Sequence, residues 1–258
     1  MTTIYFIRHA ESDRLVRDGR IRPLTEKGLA DRKLVTEYLQ DKNIDVVLSS
    51  PFKRAIDTIA DFTEKNGFEI ELVEDFREQR SGRDLLHDSS GNPFPDFLER
   101  QWNDFYYRFS DGETLNELQE RNISALNEVL FKYKNKNIVI GTHAMALSTI
   151  INYYDKTYDF EEFLKMNPIM PWVMKMIFDE NGCAGMEKID LFNLGQKSND
   201  GWWKVSTSDC GSLRLPNFYN MDTVKIDVSD ITPKQAASTI YSHIYHGNML
   251  LKRDRIFF

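Results

Sequence analysis

Three short apolar runs in this sequence each lead to a group that can hold or accept charge. Ile4-Tyr5-Phe6-Ile7 stops at Arg8-His9. Residues 45–48 lead through Ser49-Ser50-Pro51-Phe52-Lys53 to Arg54, and residues 137–140 lead through Gly141-Thr142 to His143. Short β-rich runs of this kind read as buried parallel strands. In open α/β sheets ligands bind beyond the carboxyl ends of the strands. Arg8, His9, Arg54 and His143 are therefore expected to meet at one edge although they are far apart in the chain. Four basic groups in one crevice suit an anion of high charge density. Phosphate fits best, because guanidinium forks match its oxygens bidentately. Glu78 and the Asp111-Gly112-Glu113-Thr114 segment supply carboxyl candidates.

The composition narrows the setting. The chain has 258 residues with Lys+Arg 33 against Asp+Glu 40, a formal net charge of −7. Such a balance does not suit a generic nucleic-acid binder, so basic chemistry has to be local. Two cysteines, Cys183 and Cys210, make no disulfide framework and fit a reducing compartment. The first apolar run is too short for a secretory signal, and no stretch reaches the roughly 18 apolar residues of a membrane span. A cytoplasmic protein without membrane contact is expected. No metal site and no cofactor are read from the sequence. His9 and His143 form no HxH or HxxxH pair, and His87, His243 and His246 show no ligand spacing.

The elements that must position these groups alternate. Thr25 precedes a helix-period segment over residues 26–40. Ser50 is expected to cap a second helix with Pro51 at its first position, ending at Asn66-Gly67. Residues 69–73 form a third strand. Leu115, Leu118, Ile123, Leu126 and Leu130 mark a long amphipathic helix, and a further helix covers 144–154. Residues 171–178 and 186–192 read as strands around an Asn181-Gly182 turn. Repeated strand–helix–strand order predicts an α/β, three-layer α/β/α sandwich with a mostly parallel central sheet. Residues 79–110 interrupt it as a cap-like insertion with short helices. Residues 193–258 change texture and are expected to form a small C-terminal α+β appendage outside the pocket, with strands at 201–205 and 223–228 and a helix at 232–245. At about sixty-five residues it is short for an independent domain. It should pack on the first domain or on a second subunit, as in a homodimer.

Arg8-His9-Ala10-Glu11-Ser12 resembles the Arg-His-Gly signature of the histidine phosphatase superfamily, which includes the cofactor-dependent phosphoglycerate mutases. Leu24-Thr25-Glu26-Lys27-Gly28, Ser49-Ser50-Pro51 with Arg54-Ala55, Asp111–Leu115 and Gly141-Thr142-His143-Ala144 are similar to its later motifs, in order. The resemblance spans about residues 3–192 and implies a phosphoglycerate mutase-like fold for domain 1–192. It also implies a metal-independent phosphohistidine mechanism: His9 as nucleophile, Arg8, Arg54 and His143 around the phosphate, and Glu78 as proton donor. Two departures stand out. Ala10 replaces the usual Gly, and Leu15 stands where the family often has Asn, so one phosphate contact is either missing or supplied by Arg14 or Arg17. Ser12 and Arg14 are further site candidates. Glu113 is the alternative acid, its other reading being a helix-start charge.

Other side chains have two readings each. Trp102, Phe105, Tyr106, Tyr107 and Phe109 either line a substrate pocket or form the insertion's own core. Arg80 and Arg83 either read a second anion or are solvated. The leading function is hydrolysis of a small phosphorylated substrate. A phosphoglycerate mutase-type phosphotransferase and a catalytically weak phospholigand-binding regulatory module are the alternatives. The mutases' long insert is not evident in 79–110, which favours hydrolysis. The physiological substrate is not legible.

Overall fold

The computed structural model describes residues 1–82 and 94–193, and the backbone of two short strands, Ser212–Arg214 and Lys225–Asp227. By its contacts the chain forms two compact units, Met1–Gln196 and Lys197–Phe258.

The first unit alternates strands and helices. β1 (Thr2–Arg8) is followed by α1 (Glu26–Leu39), β2 (Val46–Ser49), α2 (Lys53–Asn66) and β3 (Ile70–Leu72). A single 3-10 turn (Glu74–Phe76) and α3 (Phe94–Asn103) lead to α4 (Leu115–Lys132), β4 (Asn137–Thr142) and α5 (Ala144–Tyr154). The unit closes with α6 (Phe160–Met166), β5 (Trp172–Asp179) and β6 (Gly182–Ile189). The sheet order is β3-β2-β4-β1-β5-β6. The first four strands are parallel, while β5 and β6 form an antiparallel hairpin on β1. This is the expected α/β sandwich with a mostly parallel sheet.

Strand alternation assigns the two faces. Tyr5, Ile7, Val47, Val139 and Val173 pack with Val35 and Leu39 of α1 and Ile59 and Phe62 of α2. The intervening Ile4, Phe6, Leu48, Ile138 and Ile140 are fully buried on the other face. There Phe6 meets Phe76 edge-on at 6.5 Å, and α4 packs on the 74–76 turn and on α5. α5 is buried along nearly its whole length, from Ala144 to Asn152, as its apolar composition requires.

Side-chain caps start α1, α4 and α6. The Thr25 side chain accepts from the Gly28 N–H, and Thr114 with Glu117 forms a reciprocal capping box at the start of α4. α2 ends on Gly67, whose φ of 72° suits a residue without Cβ. Its beginning differs from the expectation. Phe52, not Ser50, flanks Lys53, and no side chain caps the helix. The Ser50 hydroxyl lies 2.7 Å from His143 Nε2 and accepts from the Phe52 N–H at 3.3 Å, just before the helix. β6 also begins earlier than expected, at Gly182, because the Asp179–Gly182 pairing closes the hairpin tightly.

In the second unit Ser212–Arg214 pairs antiparallel with Lys225–Asp227, inside the strand expected at 223–228. The strand expected at 201–205, the helix at 232–245, Arg83, His87, His243, His246 and Cys210 lie outside the described residues.

Candidate active site

Sheet register brings the distant motifs together. Arg8 pairs with Thr142 and Ser49 pairs with both Gly141 and Leu72, so the next residues of four strands emerge at one edge. Backbone bonds continue the alignment past the strand ends: His9 N–H donates to Thr142 O at 3.1 Å, and Ser50 N–H to Gly141 O at 2.8 Å. His9 and His143 then stand with ring centroids 5.3 Å apart, edge to face. Both are buried, as are Arg8 and Arg54.

The nucleophile candidate is oriented by its own backbone. His9 Nδ1 lies 2.7 Å from Ala10 O. A carbonyl has no proton to give, so Nδ1 carries the hydrogen and Nε2 keeps its lone pair. The Ala10 N–H donates to Thr58 Oγ1 at 2.9 Å, and that hydroxyl donates to Arg54 O at 2.7 Å. Thr58, one helical turn after Arg54, thus joins the His9 loop to the helix that carries Arg54. The Leu24–Gly28 motif supports the same loop from the other side. Thr25 N–H and Oγ1 bond Glu11, and a Cβ on Gly28 would lie 2.1 Å from Glu11 O. Only glycine permits that approach.

The cations have structural ties as well. Arg8 Nη1 donates to the carbonyls of Met166, Asn167 and Ile169 at 2.7–3.0 Å, and Nη2 to Asn167 Oδ1 at 3.2 Å. Arg54 Nη1 donates to Gly19 O at 2.6 Å. Phe52 bridges the group: its ring is 5.1 Å from that of His143, with the Arg54 guanidinium 5.0 Å from its centroid. Ser12 pairs with Leu24 in an isolated bridge. Arg14 is exposed, yet its charge is felt at His9, whereas Leu15 points outward at 87% exposure.

Burial pushes the His9 pKa well below its ordinary 6.5, and the charges of Arg54 and Arg8 push in the same direction. Burial, then Arg54, act likewise on His143. Both rings are therefore neutral at physiological pH. Two consequences follow. The acid limb of kcat/KM, where His9 gains a proton and loses nucleophilicity, should lie below pH 6.5. Stability should also fall as pH drops below about 6.5, because the unfolded histidines bind protons that the buried ones refuse. The slope is about 1.4 kcal/mol per pH unit for each histidine. A pH–rate profile and chemical denaturation at pH 5 to 7.5 measure the two; flat stability across that range would contradict the assignment.

The carboxyl candidates occupy different places. Glu78 lies at the amino end of α5, with Oε1 accepting from Ala146 N at 3.2 Å and Oε2 from Met145 N at 3.4 Å. Through those bonds it sits beside the helix that directly follows His143. Glu113 is locked away from chemistry. Arg121 bonds it at 2.6 and 3.0 Å and Arg77 twice at 3.3 Å. Burial would raise its pKa, but the Arg121 bond and both guanidinium charges outweigh it and hold the carboxyl below the usual range. It precedes the Thr114 cap, so it is not the helix-start charge expected from sequence. Arg77 and Arg121 also bond Glu78 O, so Glu113 anchors the arginines that fix the Glu78 peptide.

The insertion's aromatics mostly build core. Trp102 packs on Phe105 at 5.7 Å and on Phe163 of α6 at 5.8 Å, and Phe97 packs on Tyr107 and Phe109. Tyr106 alone is well exposed. Gln79 and Gln101 bond each other and share Glu113 O, which stitches α3 to the site. Arg80 donates to Asp111 O. Among the described residues no cluster of His, Cys, Asp or Glu could hold a metal ion.

A family model, histidine phosphatase superfamily (branch 1), matches residues 4–184. The chain belongs to that superfamily. Among relatives of this histidine phosphatase is the "Uncharacterized phosphatase PhoE" of Bacillus subtilis, 29% identical over 155 residues, which are 58% of this chain and 76% of PhoE. "Phosphoserine phosphatase 1" of Hydrogenobacter thermophilus is 27% identical over 159 residues, 57% of this chain and 73% of that one. The fold also matches phosphoserine phosphatase of Entamoeba histolytica solved with 3-phosphoglyceric acid. That match has a TM-score of 0.57 and 21% identity, and covers 74% of this chain and 99% of the other.

In this histidine phosphatase, Arg54→Ala and His143→Ala should each lower kcat by about 100-fold or more, the scale of one transition-state donor. The melting temperature should move far less. A loss seen only in melting would make both residues structural.

Proposed function

We propose that the chain hydrolyses small phosphomonoesters in two steps through a phosphohistidine on His9. The observation that carries this reading is the 2.7 Å bond from His9 Nδ1 to Ala10 O, which leaves Nε2 as a lone-pair nucleophile among buried cations. In the first step Nε2 attacks phosphorus and the ester oxygen leaves, taking a proton from Glu78. In the second, water attacks phosphorus, Glu78 takes the water's proton, and the phosphorus–nitrogen bond breaks to release phosphate. Arg8, Arg54 and His143 hold the equatorial oxygens, whose charge builds in the transition state. Glu78 fits the acid role better than Glu113, whose two arginines keep it ionised.

Phosphohistidine chemistry also serves transfer between positions of one substrate, so the test separates hydrolysis from transfer. Phosphoserine, 3-phosphoglycerate, sugar phosphates and p-nitrophenyl phosphate are incubated with the protein in a chelating buffer. Release of inorganic phosphate from at least one of them is expected, and the chelator should not slow it. Movement of phosphate within phosphoglycerate, without release, would make the chain a mutase.

A further inference from the structure

His143 raises a question that its neutrality leaves open: which ring nitrogen carries the proton. The ring is fully buried, with Nε2 2.7 Å from Ser50 Oγ, and Nδ1 has no partner among the described residues. Ser50 is fully buried too, and its oxygen already accepts from Phe52 N at 3.3 Å. A hydroxyl has one proton to donate and two lone pairs to offer. If Nε2 donated to Ser50, the hydroxyl proton and the Nδ1 lone pair would both be buried without a described partner. If Ser50 donates to Nε2, only the Nδ1–H is left over. Buried polar groups pair wherever they can, so the second arrangement is favoured.

We infer that Ser50 is a positioning residue that donates to His143 Nε2 and so fixes the Nδ1–H tautomer, which leaves that N–H as a donor for the phosphoryl oxygens. The destination of that donor rests on the phosphohistidine reading; the tautomer does not. Ser49-Ser50-Pro51 thus has a chemical reason for its second serine. The residue following β2 sets the proton of the residue following β4, and the two strands are neighbours in the sheet.

Long-range 1H–15N correlation spectra of the 15N-histidine-labelled full chain read the tautomer directly, with a His143→Gln sample to assign the ring. Wild type should show a protonated Nδ1 and a bare Nε2. Ser50→Ala should move population to the Nε2–H form, and should weaken inorganic phosphate binding and lower kcat by about tenfold each, the scale of one hydrogen bond. Ser50→Thr, which keeps the hydroxyl, should restore the Nδ1–H form. A protonated Nε2 in wild type would overturn the inference, and that readout does not depend on how Ser50→Ala folds. An unchanged tautomer and phosphate affinity in folded Ser50→Ala would overturn it as well. Full turnover by His9→Ala would sink the phosphohistidine reading without touching the tautomer, so the two failures are separable.

Discussion

His9→Ala should lower kcat/KM for any phosphomonoester by about four orders of magnitude or more, the scale seen when a covalent nucleophile is removed. No other described group is placed to substitute. His143 has its Nε2 on Ser50. Substrate binding should survive, because Arg8, Arg54 and His143 remain, so inorganic phosphate should still bind within about tenfold of wild type. Folding should survive too. Removing a buried imidazole that resists protonation should even make the stability less steep below pH 6.5. Residual turnover within about tenfold of wild type would require a different nucleophile.

The second large effect should depend on the leaving group. Glu78→Gln should slow hydrolysis of an alkyl phosphate such as phosphoserine by about 100- to 1,000-fold, because an alkoxide leaves poorly without a proton. On p-nitrophenyl phosphate the loss should stay below about tenfold, since that phenolate needs little help. Glu113→Gln should behave differently. Breaking a buried carboxylate–arginine clamp costs about 3–5 kcal/mol, so the melting temperature should fall markedly. Any loss of kcat should then be the same factor on both substrates, because it arises from a loosened Glu78 peptide. Steady-state kinetics on the two esters, paired with thermal melts of both variants, decide between them. A substrate-dependent loss in Glu113→Gln would reverse the assignment.

Much of this site was legible because its signal is local. A β-rich run stopping at Arg8-His9 or at Gly141-Thr142-His143 announces a strand end, and parallel topology then brings strand ends together. The residues that position the chemistry were harder to see. Thr58 reads as one more polar position on α2, and only the fold places its hydroxyl 2.9 Å from the Ala10 amide. Ser50 matched a helix-cap pattern so well that its pairing with His143, 93 residues away, was hidden. Yet it directly follows β2 as His9 follows β1, and that parallel was a usable signal. Phe52 has no chemistry of its own and matters only through the ring and guanidinium beside it. Glu113 was ambiguous for a different reason. Its meaning depends on Arg77 and Arg121, both distant or on another turn, and charge pairing of that kind leaves no periodic trace. The aromatics of 97–109 carried no face pattern because α3 is short and packs partly on α6, whose start at Phe160 no strong spacing announced.

The most direct test of the central claim is to look for phosphate on His9 during turnover. The protein is mixed with an excess of 32P-labelled substrate, quenched in alkali within milliseconds, and digested for mass spectrometry. Alkali is needed because phosphohistidine survives base and hydrolyses in acid. The expected result is a base-stable, acid-labile phosphate on the peptide containing Arg8-His9-Ala10, formed at a rate at least equal to kcat and absent from His9→Ala. Phosphate release at the full rate with no labelled peptide, or label on another residue, would contradict the account.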